Sequence, residues 1–429
     1  MKYFLNKTGY YLIILITAGF FFTTSCKKEE PQPPAEKPVE EKARDELYKI
    51  MQDWYLWYDK MPDVNVEDFK TPEELLDTLR YKPLDKWSFV ADKSAFESYF
   101  GAGEYLGFGY GYSYNEDGLI YITFVFKDSP LYPDSVRRGW RLTGVDGHTL
   151  SPWEDIRPLM GENKPGVTKT LTFLKPDNTS ESFTVAKDTI KINAVLVQDT
   201  LHLGSRIIGH LVFQTFVQTA NAELDTAFQY FQSVGVNELI VDLRYNGGGS
   251  MDVAIKLASL IAGNSQNGKK FITLKHNDKR SDQNVDLNFT NESYALSLNR
   301  AVFITSKGSA SASEAVINGL KPYMSVSLIG DNTYGKPVGM HSWGYADYVF
   351  VPVSFRLVNA SGQGDYYDGL PADDFAPDGL QYAFSDRNEP RLRDALEYIE
   401  TGIYPNPGQR KSLTLLPRWK GIRAEIGAL

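Results

Sequence analysis

Residues 304–323, ITSKGSASASEAVINGLKPY, place three serines, Ser309, Ser311 and Ser313, between a hydrophobic run and a helix-forming segment. Small residues there could simply cap and pack a helix start. They could also do chemistry, because a serine at a helix N-terminus sits where backbone N–H groups and the dipole favour a developing anion. Lys336 stands 336 − 311 = 25 residues beyond the middle serine, in the turn Tyr334-Gly335-Lys336-Pro337. A lysine can take the proton of a serine hydroxyl when burial penalises its ammonium form. A strand–serine–helix–strand–lysine path can bring the two side chains to one end of a sheet. Upstream, residues 242–249, DLRYNGGG, close a buried strand with three glycines, which let a backbone approach a ligand or take positive φ. No Gly-Lys-Ser/Thr and no dinucleotide fingerprint accompanies them, so a plain turn and an oxyanion-binding loop are the readings that remain.

Histidine competes for the role of base. The five are His148, His202, His210, His276 and His341; His210 lies inside an apolar strand and His341 just past the lysine turn. No paired His, Cys or Asp spacing suggests a metal site, and no cofactor is expected.

The elements that must position these groups follow from periodicity. Strand patterns at 206–213, 238–244, 301–305 and 326–329 alternate with helical patterns at about 222–234, 253–262 and 390–399, which implies an α/β core over residues 187–415. Before it, residues 105–126 alternate, turn at 115–118 and alternate again, a hairpin pattern. At the front, Leu47, Ile50, Met51, Trp54 and Trp57 recur at helical spacing, and Thr71-Pro72-Glu73-Glu74 reads as a capped helix start, giving a small helical unit at 43–95.

Residues 96–186 resemble a PDZ domain: Ser129-Pro130, a short helix expected up to Arg138, Gly139, a strand and Val145-Asp146-Gly147 follow the hairpin. The resemblance implies that Leu106, Gly107, Phe108 and Gly109 form the loop that offers amides to a peptide's C-terminal carboxylate, the peptide adding as a strand. The usual Gly-Asp pair is Gly139-Trp140 here.

The first residues are not fold. Lys2 and Lys7 precede an apolar run at 10–22 and then Thr23-Thr24-Ser25-Cys26, the shape of a secretory signal over residues 1–26. A lone cysteine cannot form an internal disulfide. The segment is similar to a bacterial lipoprotein signal, with Thr23 where leucine is usual, which implies lipidation of Cys26. Residues 27–42 read as a polar tether and 416–429 as a tail. A net charge of −9 argues against nucleic acid. The expected location is outside the cytoplasm, on the outer membrane of a Gram-negative cell.

Taken together, the serine alternation, the gap to Lys336 and the glycine run resemble the C-terminal processing, or tail-specific, serine peptidases. That resemblance implies Ser311 as nucleophile, Lys336 as its base, amides of Ala312 and Gly248 (Gly249 second) as the oxyanion hole, Glu314 in support, and protein or peptide substrates. It further implies a core like crotonase and the ClpP-type proteases. Many members carry glutamine where this chain has Met340, and an acid where it has Pro322. Two other readings share the scaffold: a crotonase-like acyl-thioester enzyme, and a non-catalytic peptide-binding lipoprotein.

Overall fold

The computed structural model describes residues 37–408. The signal segment with Cys26, the tether up to residue 36 and the tail 416–429 lie outside the described residues.

The front of the chain is helical. Helix α1 (Val39–Trp54) buries Ala43, Leu47, Ile50 and Met51 and carries Glu40 and Glu41 in its first turn, where the dipole favours acids. It begins at Val39, so the last residues of the expected tether are helix. Helix α2 (Pro72–Leu79) starts as the sequence predicts: Thr71 Oγ1 accepts from the Glu74 amide at 3.3 Å, with proline at the first position. Strand β1 (Phe89–Asp92) and the short α3 (Lys93–Glu97) follow.

Eight strands come next: β2 (Glu104–Gly107), β3 (Tyr110–Tyr114), β4 (Ile120–Val125), β5 (Arg141–Val145), β6 (His148–Thr149), β7 (Thr168–Leu174), β8 (Ser180–Ala186) and β9 (Asp188–Lys191). The predicted hairpin is β3–β4 with its turn closed by Gly118 N–H on Asn115 O at 3.0 Å. The sheet runs β3-β4-β5-β7-β8, with β6 on β5, while β2 pairs only with β9. Ile122, Leu142, Leu171 and Phe173 fill its core. The expected short helix before Arg138 is a run of turns instead. Pro133 has no amide to donate and Ser135 sits at φ 62°, so no helical ladder can form there.

The remaining chain supplies β10 (Val195–Leu203), β11 (Arg206–Phe213), α4 (Ala220–Ser233), β12 (Glu238–Asp242), α5 (Met251–Ala262), β13 (Lys270–His276), β14 (Val285–Asn288), β15 (Arg300–Thr305), α6 (Ala312–Leu320), β16 (Ser325–Gly330), β17 (Val338–Met340), β18 (Trp343–Tyr345), β19 (Tyr348–Val351), β20 (Val353–Asn359), β21 (Asp374–Phe375) and α7 (Pro390–Thr401). The main sheet has the order β10-β11-β12-β15-β16-β21, parallel except for β10. Its central strands β11, β12 and β15 are buried on both faces, hence their largely apolar runs. Leu239, Val241 and Phe303 pack toward α4, α5 and α6, whereas Ile240, Val302 and Ile304 meet Leu392, Ala395 and Ile399 of α7. A second, antiparallel sheet, β14-β13-β20-β17, extends this core.

The front unit does not stand alone. Strand β1 pairs with β19, and the α1–α2 core is completed by Val338, Phe350 and Val353. From Val39 onward the described chain is one compact unit.

One core residue is at odds with its surroundings. His210, in the middle of β11, is fully buried and neither ring nitrogen has a hydrogen-bond partner among the described residues. Burial pushes its pKa down, against the pull of Asp242, with Arg244, Glu389 and Asp199 also acting on it. The folded state therefore keeps this imidazole neutral while the unfolded chain protonates it near pH 6.5. Its contribution to stability is complete above that pH and is lost as the pH falls below it. Replacement by an apolar residue of similar volume, His210→Leu, should flatten the fall in melting temperature between pH 7 and pH 5. Thermal melts of the two proteins across that range check this; parallel curves would contradict it.

Candidate active site

Parallel pairing brings the three sequence motifs together. Strands β12, β15 and β16 are neighbours, with Asp242 opposite Ile304 and Thr305 opposite Gly330. The glycine run, the serine segment and the lysine turn leave the carboxyl ends of these strands side by side, where open α/β sheets form their crevices. A cleft of about 1030 Å³ opens there, and Gly249, Ser311 and Lys336 line it. Its opposite wall includes Leu76, Arg80 and Trp87 from the front helical unit.

Hydrogen bonding separates the three serines. Ser309 Oγ donates to Leu243 O at 2.7 Å, and Ser313 Oγ to Asn246 O at 2.9 Å; both residues are fully buried. These two staple the serine segment to the glycine run. Ser311 alone lies in the cleft. Its backbone has φ 58° and ψ −113°, a conformation that costs a non-glycine residue about 1–3 kcal/mol and recurs where structure holds a side chain in place.

That backbone is held by Glu314. Its carboxylate is completely buried, and Oε2 accepts from the amides of Ser311 (2.9 Å) and Lys336 (2.8 Å). Oε1 accepts from the Gly335 amide (2.7 Å) and Thr333 Oγ1 (2.6 Å). Burial pushes the carboxyl pKa up, and the four donors oppose it. Every neighbour donates, so the group serves as an ionised acceptor. The Lys336 side chain runs past Met340, its Nζ 3.9 Å from the sulfur, where the resemblance would have placed a glutamine.

The glycine run departs from expectation. The Gly248 amide donates to Asn246 Oδ1 at 2.9 Å, an Asx turn, and Gly248 is not among the residues that line the cleft. Gly248 is instead a matter of space: a Cβ there would lie 2.8 Å from Ser311 Cβ. Gly249 and Ala312 have amides with no acceptor among the described residues, so they are the available pair. Asn246 was not singled out from sequence, yet its carbonyl accepts from Ala310 N–H at 3.1 Å and its Nδ2 donates to Phe213 O at 2.9 Å. An asparagine ahead of a glycine run is the signal that could have found it. Thr333 had no such signal.

The histidines do not compete. His210 faces α7 on the far side of the sheet. His341 does line the cleft, but its Nε2 is 2.9 Å from Nε2 of His276, and burial with that neighbour holds it down to about 4. His148 pairs with Glu154 in the β-rich unit. Among the described residues no cluster could hold a metal.

The root of the glycine run is an ion network. Arg244, fully buried, pairs with Asp242, binds Glu389 through two bonds (2.7 and 2.9 Å) and reaches Asp378 at 3.0 Å. Arg138, from the β-rich unit, joins at Asp378 and at Tyr245 Oη. Burial alone would raise Asp378 and Glu389, but the guanidiniums overcome it, holding Asp378 well below the carboxylate range and Glu389 at about 2.

Removing Glu314 should reveal its weight. Glu314→Ala strands three amides and a hydroxyl and should destabilise the fold by about 3–5 kcal/mol in urea titrations, at about 1–3 kcal/mol for each buried donor left unpaired and with partial relaxation. Glu314→Gln turns one acceptor into a donor facing donors, and should cost less but more than an exposed Glu→Gln control such as Glu73→Gln. Unchanged midpoints for both Glu314 variants would contradict the assignment.

Two segments of the chain match known protein families. The model of peptidase family S41 matches residues 207–363, and that of the S41 N-terminal domain matches residues 42–89. A "Probable CtpA-like serine protease" of Staphylococcus epidermidis is 25% identical over 245 residues, which is 55% of this chain and 46% of that protein. Its namesake in Staphylococcus saprophyticus is 25% identical over 306 residues, 69% of this chain and 58% of the relative. The chain thus spans about half the length of the curated relatives it matches. Among solved structures, one from Bacteroides fragilis NCTC 9343 described as an S41 protease superposes with a TM-score of 0.68 at 25% identity, covering 83% of this chain and 97% of that one. The photosystem II D1 C-terminal processing protease shares the fold, with a TM-score of 0.52 at 18% identity over 83% of this chain and all of that one. Matched family models thus fall on two segments of one continuous fold, 42–89 and 207–363, and over them this chain is similar to peptidase family S41.

Proposed function

We propose that the chain is a serine endopeptidase of the C-terminal processing type, acting on exported proteins or peptides. The observation that carries this reading is the isolation of Ser311: of the three serines it alone faces the cleft, beside Lys336, and one carboxylate oxygen holds the amides of both. Ser311 Oγ attacks the peptide carbonyl carbon while its proton passes to Lys336 Nζ, which requires an amine with a free lone pair. The oxyanion is met by the amides of Ala312 and Gly249. Collapse of the tetrahedral intermediate breaks the C–N bond, Lys336 returns the proton to the leaving amine, and water then hydrolyses the Ser311 ester. The β-rich unit recruits substrate. Strand β3 is the edge of its sheet and can receive a peptide backbone, with the segment Leu106, Gly107, Phe108 and Gly109 at the end where such a peptide terminates.

A fluorophosphonate probe followed by peptide mapping tests the mechanism. Label should appear on Ser311 and vanish in Ser311→Ala. Lys336→Ala and Lys336→Arg should each lower hydrolysis of an unstructured protein by at least about 10³-fold with the fold intact, since a guanidinium stays charged. Turnover by Lys336→Ala would overturn the dyad. A protein that takes no label would favour the non-catalytic peptide binder, and turnover of an acyl-thioester without label the crotonase-like enzyme.

We further propose that Cys26 carries a lipid anchor after export. Native protein should then partition with membranes and Cys26→Ser should move it to the soluble fraction. A soluble native protein with an unmodified N-terminus at or beyond residue 26 would contradict the anchor.

A further inference from the structure

The base of the proposed dyad touches an oxidisable atom. Met340 Sδ lies 3.9 Å from Lys336 Nζ. The two ends of Lys336 are held differently. Its amide is fixed at 2.8 Å on the Glu314 carboxylate, whereas its amine meets a thioether, a soft and weak acceptor.

A backbone irregularity sets the sulfur in this place. Strand β17 shifts register against β20 between Gly339 and Met340: Gly339 pairs with Phe355 and Met340 with Val353, so Ser354 is the extra residue. Ser354 Oγ accepts from the His341 amide at 3.2 Å and donates to Pro352 O at 2.8 Å, which anchors the bulge. A bulge re-aims the side chains beside it. Met340 is half-buried, packs against both the main core and the core of the front unit, and lines the cleft. A small solute in a cleft of about 1030 Å³ can therefore reach it.

Hydrogen peroxide is such a solute. The sulfur lone pair attacks one peroxide oxygen, the O–O bond breaks and an S=O bond forms. The proton of the transferred hydroxyl passes to the departing hydroxide, which leaves as water; sulfur loses two electrons and the peroxide gains them. An oxygen added to a sulfur 3.9 Å from Nζ can enter hydrogen-bond range, about 2.7–3.2 Å. It is a far stronger acceptor than the thioether. One N–H of the amine is then committed to that oxygen, and the lone pair gains a fixed direction for the Ser311 proton.

We propose that Met340 is a reversible oxidation site whose sulfoxide positions Lys336 and raises the reactivity of Ser311. This rests on the reading of Ser311 and Lys336 as a dyad, with Met340 as a positioning residue. Glutamine carries its carbonyl on the carbon that replaces Sδ, so Met340→Gln imitates the sulfoxide without an oxidant.

The experiment treats the full chain with hydrogen peroxide, scores oxygen on Met340 by peptide mapping, and times fluorophosphonate labelling of Ser311. A strong acceptor also favours the ammonium, so rates are compared at the alkaline pH where labelling levels off and the lysine is neutral in every form. The oxidised parent should label about fivefold faster, the scale of one ordinary hydrogen bond. Met340→Gln should match it without peroxide, and Met340→Leu should keep the untreated rate with or without peroxide. A methionine sulfoxide reductase should return the oxidised parent to its starting rate. Met251 also lines the cleft, and Met251→Leu should keep the full response. Oxidation that leaves Met340 untouched, labelling no faster once it is oxidised, or acceleration that persists in Met340→Leu would overturn the proposal and leave the dyad standing. Slower labelling with a lower melting temperature would show a sulfoxide that only disturbs packing, and overturns it too. A parent that takes no label in either state would overturn the dyad and this inference with it.

Discussion

The geometry of the cleft depends on one buried carboxylate. Glu314 sits in the first turn of α6 and gathers the amides of Ser311, Gly335 and Lys336 onto its two oxygens. A single rigid group thereby fixes the position of a strained serine and of a turn more than twenty residues away (336 − 311 = 25). The location suits an anion, since the helix N-terminus presents orphan amides and a favourable dipole. Thr333 completes the set and is itself tied to the Leu370 amide at 2.6 Å, which carries the restraint into the segment after β20. An apolar residue at 314 would leave all of these donors in a dry interior.

Around that point the protein relies on order rather than flexibility. The parallel strands deliver three loops to one edge, and the Arg244 network clamps the first of them from below. Such a network is weak evidence of net stability, because desolvation offsets much of the attraction, but loss of any single partner leaves a charge uncompensated. Its members come from distant parts of the chain: Arg138 from the β-rich unit, Asp242 and Arg244 from the sheet, and Asp378 and Glu389 from the approach to α7. Glu389 also caps α7, accepting from the Leu392 amide at 2.9 Å. The same interactions that root the glycine run therefore join the units.

The contact between the β-rich unit and the core explains a feature that otherwise looks like a departure. Gly139 is at φ 89°, and a Cβ there would come within 2.5 Å of Leu380 O. The glycine is needed for that close approach. Trp140 meanwhile packs on Phe173 and Phe183 within its own unit and lies under the Lys175 ammonium, 5.1 Å from its ring centre. Tryptophan after the glycine thus has a packing role here. The front helices contribute in a similar way, lending β1 to β19 and a wall to the cleft.

What the sequence determined by itself was local. Periods of 2 and 3.6 residues, a Thr-Pro-Glu-Glu cap and runs of buried β-branched residues marked most helices and strands of the core within a few residues, because each depends on neighbours in the chain. Motif order also made the three loops legible as one candidate site. The sequence did not say which serine faces the cleft, because the answer lies in where Ser309 and Ser313 find acceptors, and Leu243 and Asn246 are more than sixty residues away (309 − 243 = 66; 313 − 246 = 67). Nor could it reveal that Asn246 takes up the Gly248 amide and leaves Gly249 available, since backbone orientation in a glycine run carries almost no local preference. The segment before Arg138 is a run of turns where the PDZ resemblance implies a helix, because Pro133 has no amide to donate and Ser135 takes a positive φ. Only the tertiary structure decided that a strand from the front unit pairs with β19 and that Lys187 is buried against the carbonyls of Gly161 and Glu162, because pairing and burial are set by segments that meet only once the chain has folded.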